Sequence, residues 1–295
     1  MRIFITGASG WIGSAVTDEL LAAGHEITGL ARSDSSAATL EAKGVRVLRG
    51  DLDDFTSLRA GTDEADAVIH LANKHDFDNP AISNAAERAA VGALGKALAG
   101  SGRTLLVASG MPGAPGRPGR EDDPSPFHGP DAPRGGSENL ALEFVTKGVR
   151  VVIPRFAPTV HGAGDHGFIA SLVAIARERG VSGYVDDGSN RWPAVHVSDA
   201  ARLVALGLDA DSGTVLHAVG EEGVPTREIA EAIGRGLGVP AQSIAADAAA
   251  THFGWIGAFF GRDLPATSAA TQQVLGWSPT GPTLADDLAS GAYFR

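Results

Sequence analysis

A glycine-rich turn near the start of the chain constrains the fold more than any other feature of the sequence. Residues 2–13 read RIFITGASGWIG, an apolar run followed by three spaced glycines. Gly7 allows a tight turn off a strand, Gly10 lets a pyrophosphate approach the backbone, and Gly13 lets the next helix pack closely. Strand, turn and helix in this order predict dinucleotide binding at the helix N-terminus, where free N–H groups and the helix dipole favour an anion. The alternative is a turn that merely contains glycine.

The end of the second predicted strand bears on the choice between NAD and NADP. An NAD enzyme of this fold usually carries Asp or Glu there, to bind the ribose hydroxyls. Here Arg32 and Ser33 occupy that end, and no acid occurs before Asp34. A guanidinium can bind a 2′-phosphate through two parallel hydrogen bonds. The sequence therefore favours NADP over NAD, while a solvated turn residue is the alternative interpretation of Arg32.

Further cofactor contacts are expected where the next two strands end. Asp51 could accept a hydrogen bond from the adenine amine, and Leu52 could pack on the adenine ring. Leu71 and Ala72 would let the cofactor approach the backbone, whereas His70 is interpreted as structural. These segments give the predicted cofactor-binding set of Thr6, Gly7, Ser9, Gly10, Trp11, Ile12, Gly13, Arg32, Ser33, Asp51, Leu52, Leu71, Ala72 and Asn73.

Short apolar runs alternate with helical patterns through the first half of the chain. This alternation predicts an α/β fold of Rossmann type, a doubly wound parallel sheet with helices on both faces. We assign residues 1–155 with about 195–219 to the dinucleotide-binding core, and about 156–194 with 220–295 to a smaller, interrupted substrate-binding region. The predicted strands are Ile3–Thr6, Glu26–Leu30, Val45–Arg49, Ala67–Leu71, Thr104–Ala108, Val149–Pro154, Gly183–Asp186 and Thr214–Val219. The predicted helices are Ile12–Ala23, Ser35–Lys43, Thr56–Ala60, Asn79–Ala99, Ser137–Lys147, Phe168–Arg179, Ser198–Leu208 and Thr226–Leu237, the last two capped by their first residues.

Residues 110–136 interrupt this rhythm with many prolines and glycines, which fit neither a helix nor a central strand. The segment follows the fifth predicted strand at the sheet edge where α/β proteins bind ligands. Long loops inside a compact domain are usually binding loops, lids or disordered segments. We expect a loop over the active site, with a solvated, partly disordered excursion as the alternative.

Composition and charge exclude several classes of protein. The 295-residue chain contains no cysteine, so disulfides, zinc–thiolate sites and cysteine nucleophiles are excluded. Its net charge of -11 argues against a nucleic-acid partner. No apolar run approaches the roughly 20 residues of a membrane span, and the chain begins with a predicted strand rather than a basic, apolar leader. We expect a cytoplasmic protein that acts on a small molecule and binds neither membrane nor nucleic acid.

Motifs along nearly the whole chain resemble those of the extended short-chain dehydrogenase/reductase family, in its epimerase/dehydratase branch. This resemblance implies a Rossmann fold, dinucleotide binding and a possible homodimer, but it does not specify the reaction. Ser109 matches the serine that the family places at the end of the fifth strand, and is added to the cofactor-binding set. The matching motifs are TGASGWIG at 6–13, GDL at 50–52, HLA at 70–72, VASG at 107–110, PRFAPTVHG at 154–162, WPAVHVSDAAR at 192–202 and LGWSP at 275–279.

The family's catalytic Tyr and the Lys four residues later are missing. Family members lower the tyrosine pKa, normally about 10, with the nearby ammonium so that the hydroxyl can donate a proton to the developing alkoxide. Arg134 stands in the tyrosine place and Glu138 in the lysine place, and the chain's two tyrosines are Tyr184 and Tyr293. We therefore identify the chain as an atypical member whose proton donor is not the usual dyad.

Three functions remain open at this point. The first is a reductase or dehydrogenase. Its proton would come from His161, His166 or Tyr184 or from a water held by Ser109, or its substrate would need no acid. We name Ser109, His161 and Tyr184 as catalytic candidates. The second is an epimerase or dehydratase, which the missing tyrosine base disfavours. The third is an NADP-binding redox sensor without turnover.

The substrate pocket is expected to be mainly apolar. The predicted substrate contacts are Lys74, His75, Met111, His166 and Trp192. His161 and His166 with Asp165 are a weak pattern for metal, since zinc usually needs three or four ligands in a regular register, and we expect no metal site. Core packing or a subunit contact is the favoured role of the C-terminal aromatics Phe253, Trp255, Phe259 and Phe260.

Overall fold

The computed structural model describes residues 1–76 and 79–295. Its strands are β1 (Arg2–Thr6), β2 (Glu26–Ala31), β3 (Arg46–Arg49), β4 (Ala67–His70), β5 (Thr104–Val107), β6 (Ser109–Gly110), β7 (Arg150–Phe156), β8 (Thr159–His161), β9 (Ser182–Val185), β10 (Arg191–His196), β11 (Thr214–Ala218), β12 (Glu221–Pro225) and β13 (Ala241–Ile244). Its α-helices are α1 (Trp11–Ala22), α2 (Asp34–Ala42), α3 (Phe55–Asp63), α4 (Pro80–Leu98), α5 (Ser137–Leu142), α6 (Phe168–Arg179), α7 (Val197–Gly207), α8 (Thr226–Leu237), α9 (Ala249–Phe253), α10 (Gly257–Phe260), α11 (Ala269–Leu275) and α12 (Leu284–Ala289).

In these described residues, eight strands form a central sheet in the order β11-β7-β5-β4-β1-β2-β3, with the short β6 paired to β7. All of its pairings are parallel. The chain winds outward from β1 in one direction to β3 and in the other through β4 to β11. Open sheets of this kind bind ligands outside the carboxyl ends of the strands at that reversal. The predicted α/β fold of Rossmann type is confirmed.

Alternate residues of the strands point to opposite faces of the sheet, and helices cover both faces. Ile3 and Ile5 of β1 belong to one core cluster, with residues of α1, α2 and α7. Phe4 lies between them in the chain and belongs to a second cluster, with residues of α3, α4 and α5. A sheet buried on both sides explains why its strands are nearly continuous apolar runs rather than alternating patterns.

A third apolar cluster lies in the second half of the chain, and its buried members come from positions 169–288. It gathers residues of α6, α8, α9 and α10 around the fully buried Trp192. Within the described residues, β12-β10-β8 and β13-β9 form two small sheets beside it. The division of the chain into a cofactor-binding core and a substrate-binding region stays a prediction.

Most predicted elements occur within two or three residues of their predicted ends, and several details differ. The helix predicted over 137–147 ends at Leu142, before a stretch containing the β-branched pair Val145 and Thr146, which disfavour helix. Ser198 does not cap α7: the helix begins at Val197, and the His196 side chain accepts the hydrogen bond from the Ser198 amide.

The other predicted cap, Thr226, is the first residue of α8, and its hydroxyl donates instead to Asn190 Oδ1 at 2.7 Å. The prediction also lacked β6, β8, β10, β12 and β13. These strands are short, and β10 contains Pro193, a residue that argues against a strand in a sequence-based assignment.

The segment over 110–136 is predominantly an ordered loop rather than a regular element. Gly119 donates its amide to the Pro265 carbonyl at 2.8 Å and accepts from the Thr267 amide at 3.0 Å. Glu121 accepts hydrogen bonds from Thr271 at 2.8 Å. The loop is therefore tied to the C-terminal part of the chain. Among the described residues, none of the helices combines the length and the apolar character required to cross a membrane.

Candidate functional site

A cavity of about 1000 Å³ opens along the carboxyl edge of the central sheet. The glycine turn after β1, the segments after β3 and β4, the loop after β5, and the residues around β8 and α6 line it. The position of this cavity agrees with the strand order, which reverses at β1. Of the predicted cofactor-binding residues, it is lined by Gly7, Ser9, Gly10, Trp11, Ile12, Gly13, Arg32, Asp51, Leu52, Leu71, Ala72, Asn73 and Ser109.

The glycine turn is close-packed at two of its three glycines. Gly7 has a φ of +78, and a Cβ built on it would lie 2.7 Å from the Ala72 amide nitrogen. A Cβ on Gly13 would overlap the Gly7 carbonyl oxygen. A Cβ on Gly10 would meet only the Gly7 oxygen, at 3.3 Å. Gly7 and Gly13 are thus required by the protein's own packing, whereas Gly10 faces space that a ligand can use.

The end of β2 presents Arg32 to the cavity, and the neighbouring side chains are engaged elsewhere. Ser33 caps α2 by accepting from the Ser36 amide at 3.1 Å, and it lies outside the cavity lining. Asp34 pairs with Arg49 Nη2 at 2.8 Å. In the described part of the chain Arg32 has no hydrogen-bond or ion-pair partner, so its guanidinium is available to a ligand.

Two of the predicted substrate contacts follow β4. Lys74 lines the cavity and pairs with Asp53 Oδ2 at 2.6 Å, across from the end of β3. The backbone amide of His75 donates to Asn73 Oδ1 at 2.8 Å. Burial, followed by the charge of Arg134, lowers the pKa of the His75 imidazole. His75 is therefore neutral near pH 7, and it lines the cavity as an uncharged ring.

Trp11 bridges the glycine turn and the segment around β8. Its indole Nε1 donates to the Val160 carbonyl at 2.7 Å, and its ring lies edge-on to His166 with centroids 5.9 Å apart. Asp165 beside His166 accepts from the Tyr293 hydroxyl at 2.9 Å, and burial raises the pKa of its carboxyl. The last turn of the chain thereby helps to position the loop that carries His166.

Aromatic side chains line a further part of the cavity, beside the predicted contact Met111. The ring of Phe168 lies 5.5 Å from the rings of both Trp255 and Phe259, measured between centroids. The expectation of core packing therefore holds for Phe253 and Phe260, which are buried. Phe259 packs against the same core at its edge and Trp255 is exposed, and both line the cavity together with Phe168.

Three of the predicted catalytic and substrate-contact residues lie away from the cavity. Trp192 is fully buried behind the aromatic wall, 5.7 Å from Phe168 and 5.1 Å from Phe259 between ring centroids. His161 is also fully buried, with Nδ1 2.6 Å from Asp287 Oδ2. Tyr184 belongs to β9, and its ring lies under the Arg227 guanidinium at 5.5 Å. The packing of the second half of the chain, which the sequence motifs do not show, directs these three side chains elsewhere.

The remaining cofactor-binding prediction, Thr6, lies one layer below the cavity. A 2.7 Å hydrogen bond links its hydroxyl to His70 Nδ1, and both side chains are fully buried. Their adjacency follows from the register of β1 and β4, in which Thr6 pairs with His70. Thr6 therefore supports the strand ends rather than contacting the cavity.

Ser109 is the first residue of β6, just after β5, and lies beside a buried ion pair. Its hydroxyl donates to Glu138 Oε2 at 2.6 Å, and Arg155 Nη2 donates to Glu138 Oε1 at 2.6 Å. The side chains of Glu138 and Arg155 are 5% and 1% exposed, so each charge depends on the other for compensation. The hydrogen of the Ser109 hydroxyl is thus directed at Glu138, and its oxygen lone pairs remain to accept.

Arg134, in the tyrosine place of the family, lines the cavity next to Ser109 and Glu138. Its Nη2 donates to Glu87 Oε1 at 2.5 Å and to the Ala108 carbonyl at 3.0 Å. Its backbone amide donates to Asn84 Oδ1 at 2.9 Å. Its φ of +54 is a left-handed conformation that costs a non-glycine residue about 1 kcal/mol or more. The surrounding contacts thus hold this guanidinium in one place.

Glu87 is the buried anchor of Arg134. It lies fully buried on α4, where Asn73 Nδ2 also donates to its Oε2 at 3.0 Å. His70 Nε2 is 3.8 Å from Oε1, beyond hydrogen-bond length. Burial alone would raise the pKa of the Glu87 carboxyl, but the charge of Arg134 and the donors around the carboxylate lower that pKa to about 2. Glu87 is therefore ionised at all physiological pH values.

Glu87 and Arg155 were not singled out from the sequence, although each left a signal. Glu87 stands on the apolar face of its helix, four positions before Val91. Arg155 interrupts the apolar run of β7. A charge at a position that must be buried needs a partner, and that requirement would have identified both residues as members of a polar network.

The weak metal pattern around His161 and His166 has no counterpart in the structure. Among residues 1–76 and 79–295, no three His, Asp or Glu side chains are grouped as a metal site. His161 pairs with Asp287, while His166 lies edge-on to Trp11.

Comparison with known proteins supplies a family-level match. A model of the NAD dependent epimerase/dehydratase family matches residues 3–219. An uncharacterized protein of Schizosaccharomyces pombe is 44% identical over 295 residues, which is 100% of both chains. The 2′-dehydrokanamycin reductase of Streptomyces kanamyceticus is 27% identical over 253 residues, covering 81% of this chain and 68% of the reductase.

A solved structure with the same fold is a dTDP-glucose 4,6-dehydratase from Streptomyces venezuelae with NAD bound. The TM-score is 0.79 at 23% identity, and the match covers 100% of this chain and 97% of the dehydratase. At this identity the likeness concerns the fold.

Proposed function

Because the chain belongs to the NAD dependent epimerase/dehydratase family, we propose that it is an NADP-dependent oxidoreductase that reduces a small or medium apolar carbonyl, enone or imine compound with a non-standard proton donor. One observation carries this proposal: a single cavity runs from the glycine turn, past Ser109 and Arg134, to an aromatic wall. Such a cavity can hold a dinucleotide and an apolar substrate side by side. The same family membership supports the resemblance inferred from the sequence.

The N-terminus of α1 fits a dinucleotide diphosphate. Gly10 caps this 12-residue helix without a side-chain hydrogen bond, and no acid lies in the first turn. In the described part of the chain, the backbone amides of Trp11, Ile12 and Gly13 have no acceptor. Unsatisfied amides and the helix dipole together favour a bound anion. Gly10 has no Cβ, and this leaves room for the diphosphate beside these three amides.

NADP is favoured over NAD by the unpaired guanidinium of Arg32. The acid nearest to it in the sequence, Asp34, is held by Arg49 and lies outside the cavity lining. A ribose 2′-phosphate would therefore meet a free cation rather than a carboxylate. Asp51 and Leu52 line the adjoining wall, where they could contact the adenine.

Replacing Arg32 by glutamate is expected to raise the Kd for NADPH by about 100-fold, because a charge-assisted, two-point contact with the 2′-phosphate is lost and a like charge is added. The Kd for NADH should change little or decrease. Fluorescence titration with both nucleotides measures this. The matched control is Arg49→Gln, a neighbouring exposed arginine outside the cavity, for which NADPH affinity should stay within about threefold. Equal NADPH affinity in wild type and Arg32→Glu would contradict the assignment.

When bound, the reduced nicotinamide supplies a hydride to the carbonyl carbon of the substrate. The aromatic wall of Phe168, Trp255 and Phe259 would hold the apolar body of that substrate and exclude water from it. Of the three catalytic candidates taken from the sequence, Ser109 alone borders the cavity, since His161 and Tyr184 lie elsewhere. Ser109 would accept a hydrogen bond from a substrate hydroxyl, because its own hydrogen is donated to Glu138.

The test of this function is a screen of NADPH oxidation with ketones, aldehydes, enones and cyclic imines. We expect turnover with an apolar member of one class, and a loss of about 10-fold or more in Ser109→Ala with NADPH affinity retained. His161→Ala and Tyr184→Phe test the other two candidates, and both should leave NADPH affinity and turnover within about threefold if the variants fold. Tight NADPH binding without turnover on any class would favour the alternative, an NADP-binding redox sensor. The absence of the tyrosine acid is the observation that supports this alternative.

A homodimer and a cytoplasmic location are expectations from resemblance and composition.

A further inference from the structure

Among the described residues, Arg134 and His75 are the two non-glycine residues of the cavity lining with a left-handed backbone conformation. The φ of +54 at Arg134 is maintained by the Asn84 side chain on its amide and by Glu87 and the Ala108 carbonyl on its Nη2. Strained residues that the surroundings fix in place occur preferentially at functional sites. The contacts come from α4 and from the end of the fifth strand, so two core elements aim this side chain.

The donors of this guanidinium are only partly used. Both Nη2 hydrogens are accounted for by Glu87 and Ala108. Within the described residues Nε is buried without a hydrogen-bond partner, and Nη1 has no partner and is not buried. A planar guanidinium carries five N–H donors, so the two on Nη1 remain accessible to a ligand in the cavity. The Arg134 side chain is 31% exposed, and it borders the cavity.

Ser109 and Glu138, as they are arranged, cannot take over this donor role. The Ser109 hydroxyl points its hydrogen at Glu138, and Glu138 is itself an acceptor held by Arg155. A carbonyl oxygen placed beside Ser109 would therefore face oxygen lone pairs from that side. Arg134 is the cation next to them in the cavity lining.

We propose that Arg134 is a catalytic residue, which binds the carbonyl oxygen of the substrate and stabilises the negative charge that develops on it. This proposal rests on the reductase function proposed above. As the carbonyl carbon gains a C–H bond from the hydride, the C=O π bond breaks and its electron pair moves to oxygen, while the nicotinamide is oxidised. Arg134 remains protonated throughout, because guanidinium groups do not release their proton in proteins, and the alkoxide takes its proton from water.

Glu87 supports the binding of the carbonyl oxygen by Arg134, although it is a carboxylate paired with that guanidinium. A carboxylate bound to one nitrogen orients the guanidinium and leaves the other N–H groups free to donate. Donors fixed in advance toward a developing oxyanion are worth about 10²–10³ in rate in other enzymes. The group that stands in the tyrosine place would thus replace proton donation by charge stabilisation.

The test uses the best substrate of the screen and three variants: Arg134→Lys, Arg134→Gln, and Arg134→Gln combined with Glu87→Gln. The double variant leaves no buried charge unpaired, so it keeps the test valid if Arg134→Gln fails to fold. We expect kcat to fall by about 100-fold in both Gln variants and by about 10-fold in the Lys variant, with KM changing less than kcat, because the interaction is strongest in the transition state. NADPH affinity should stay within about threefold, since Arg134 is assigned to the substrate.

A binding measurement without cofactor or turnover provides an independent readout. Benzoate combines an apolar ring with an oxyanion, and its Kd for the cofactor-free protein should rise by at least about 10-fold in the Gln variants. The matched control is Arg88→Gln, because Arg88 Nη1 donates to the Gly135 carbonyl of the same turn at 2.8 Å but lies outside the cavity lining. Its kcat and its benzoate affinity should stay within about threefold of wild type.

The failures of the two proposals are distinguishable. A wild-type protein that reduces no carbonyl class would refute the reductase function, and the benzoate titration would still decide whether Arg134 binds oxyanions. If kcat in the double variant stays within threefold of wild type, or if benzoate binds the Gln variants as tightly as wild type, the assignment of Arg134 is overturned.

Discussion

Replacing Gly13 by alanine is expected to lower the free energy of unfolding by about 3 kcal/mol, as for a severe overpacking change, and to abolish measurable NADPH binding. The added Cβ would overlap the Gly7 carbonyl oxygen and lie 2.8 Å from its carbon. Neither atom can move without opening the turn, because a Cβ position on Gly7 would itself be only 2.7 Å from the Ala72 backbone. Urea unfolding and NADPH titration of the same preparation measure the two effects.

Gly10→Ala is the matched control for Gly13→Ala. Its Cβ meets only the Gly7 oxygen, at 3.3 Å, so the free energy of unfolding should change by less than about 1 kcal/mol. NADPH binding should nevertheless weaken by about 100-fold, because the methyl group occupies space at the diphosphate seat. A Gly10→Ala protein that binds NADPH as tightly as wild type would contradict the placement of the cofactor at this turn.

Replacing Glu87 by glutamine is expected to lower the free energy of unfolding at pH 7 by about 3 kcal/mol, from the difference between the folded and unfolded pKa values of this carboxyl. The folded pKa is about 2 and the ordinary value is 4.5. Because the folded pKa is the lower one, the contribution is fully present above pH 4.5 and is lost as the pH falls toward 2. In urea unfolding curves, the difference in unfolding free energy between wild type and variant should therefore be clearly smaller at pH 3 than at pH 7.

Two further variants separate the buried pair from ordinary acid sensitivity. Asp66→Asn removes a carboxyl whose pKa the exposed Arg2 partner also lowers to about 2, and solvent screening should make its effect clearly smaller. Combining Glu87→Gln with Arg134→Gln should recover part of the lost stability, because no charge is then left unpaired in the interior. An unfolding free energy of Glu87→Gln equal to wild type at pH 7 would show that the pair contributes nothing.

The helices and strands that the sequence predicts are those whose conformation is determined by residues close to one another in the chain. The runs that form β1 to β5, and the helices Phe168–Arg179 and Thr226–Leu237, follow from apolar periodicity and from the residues that end them. The strands of the second half were missed because their pairing partners are distant, as when Ala194 of β10 pairs with Glu221 of β12. A short strand of this kind has little local signal of its own.

The residues of the candidate site likewise fall into some that the sequence predicted and some that it did not. The sequence located the glycine turn, Arg32, Asp51 and Ser109, because each stands at a strand end whose position the α/β rhythm fixes. It named His161 and Tyr184 as proton donors, and the structure directs both away from the cavity. Their orientation depends on packing against α8 and α12, which no motif of their own segments specifies.

The sequence by itself determined that this chain forms a Rossmann-type sheet with a glycine turn at Gly7–Gly13, and it predicted a dinucleotide site there without the usual Tyr and Lys. These features are local, because they rest on backbone freedom, apolar spacing and the identity of single residues. Only the tertiary structure decided that Arg134 pairs with Glu87, 47 positions earlier, and that Ser109 donates to Glu138, 29 positions later. Those pairs form because strand order brings distant segments together at one edge, where a buried charge must find a partner.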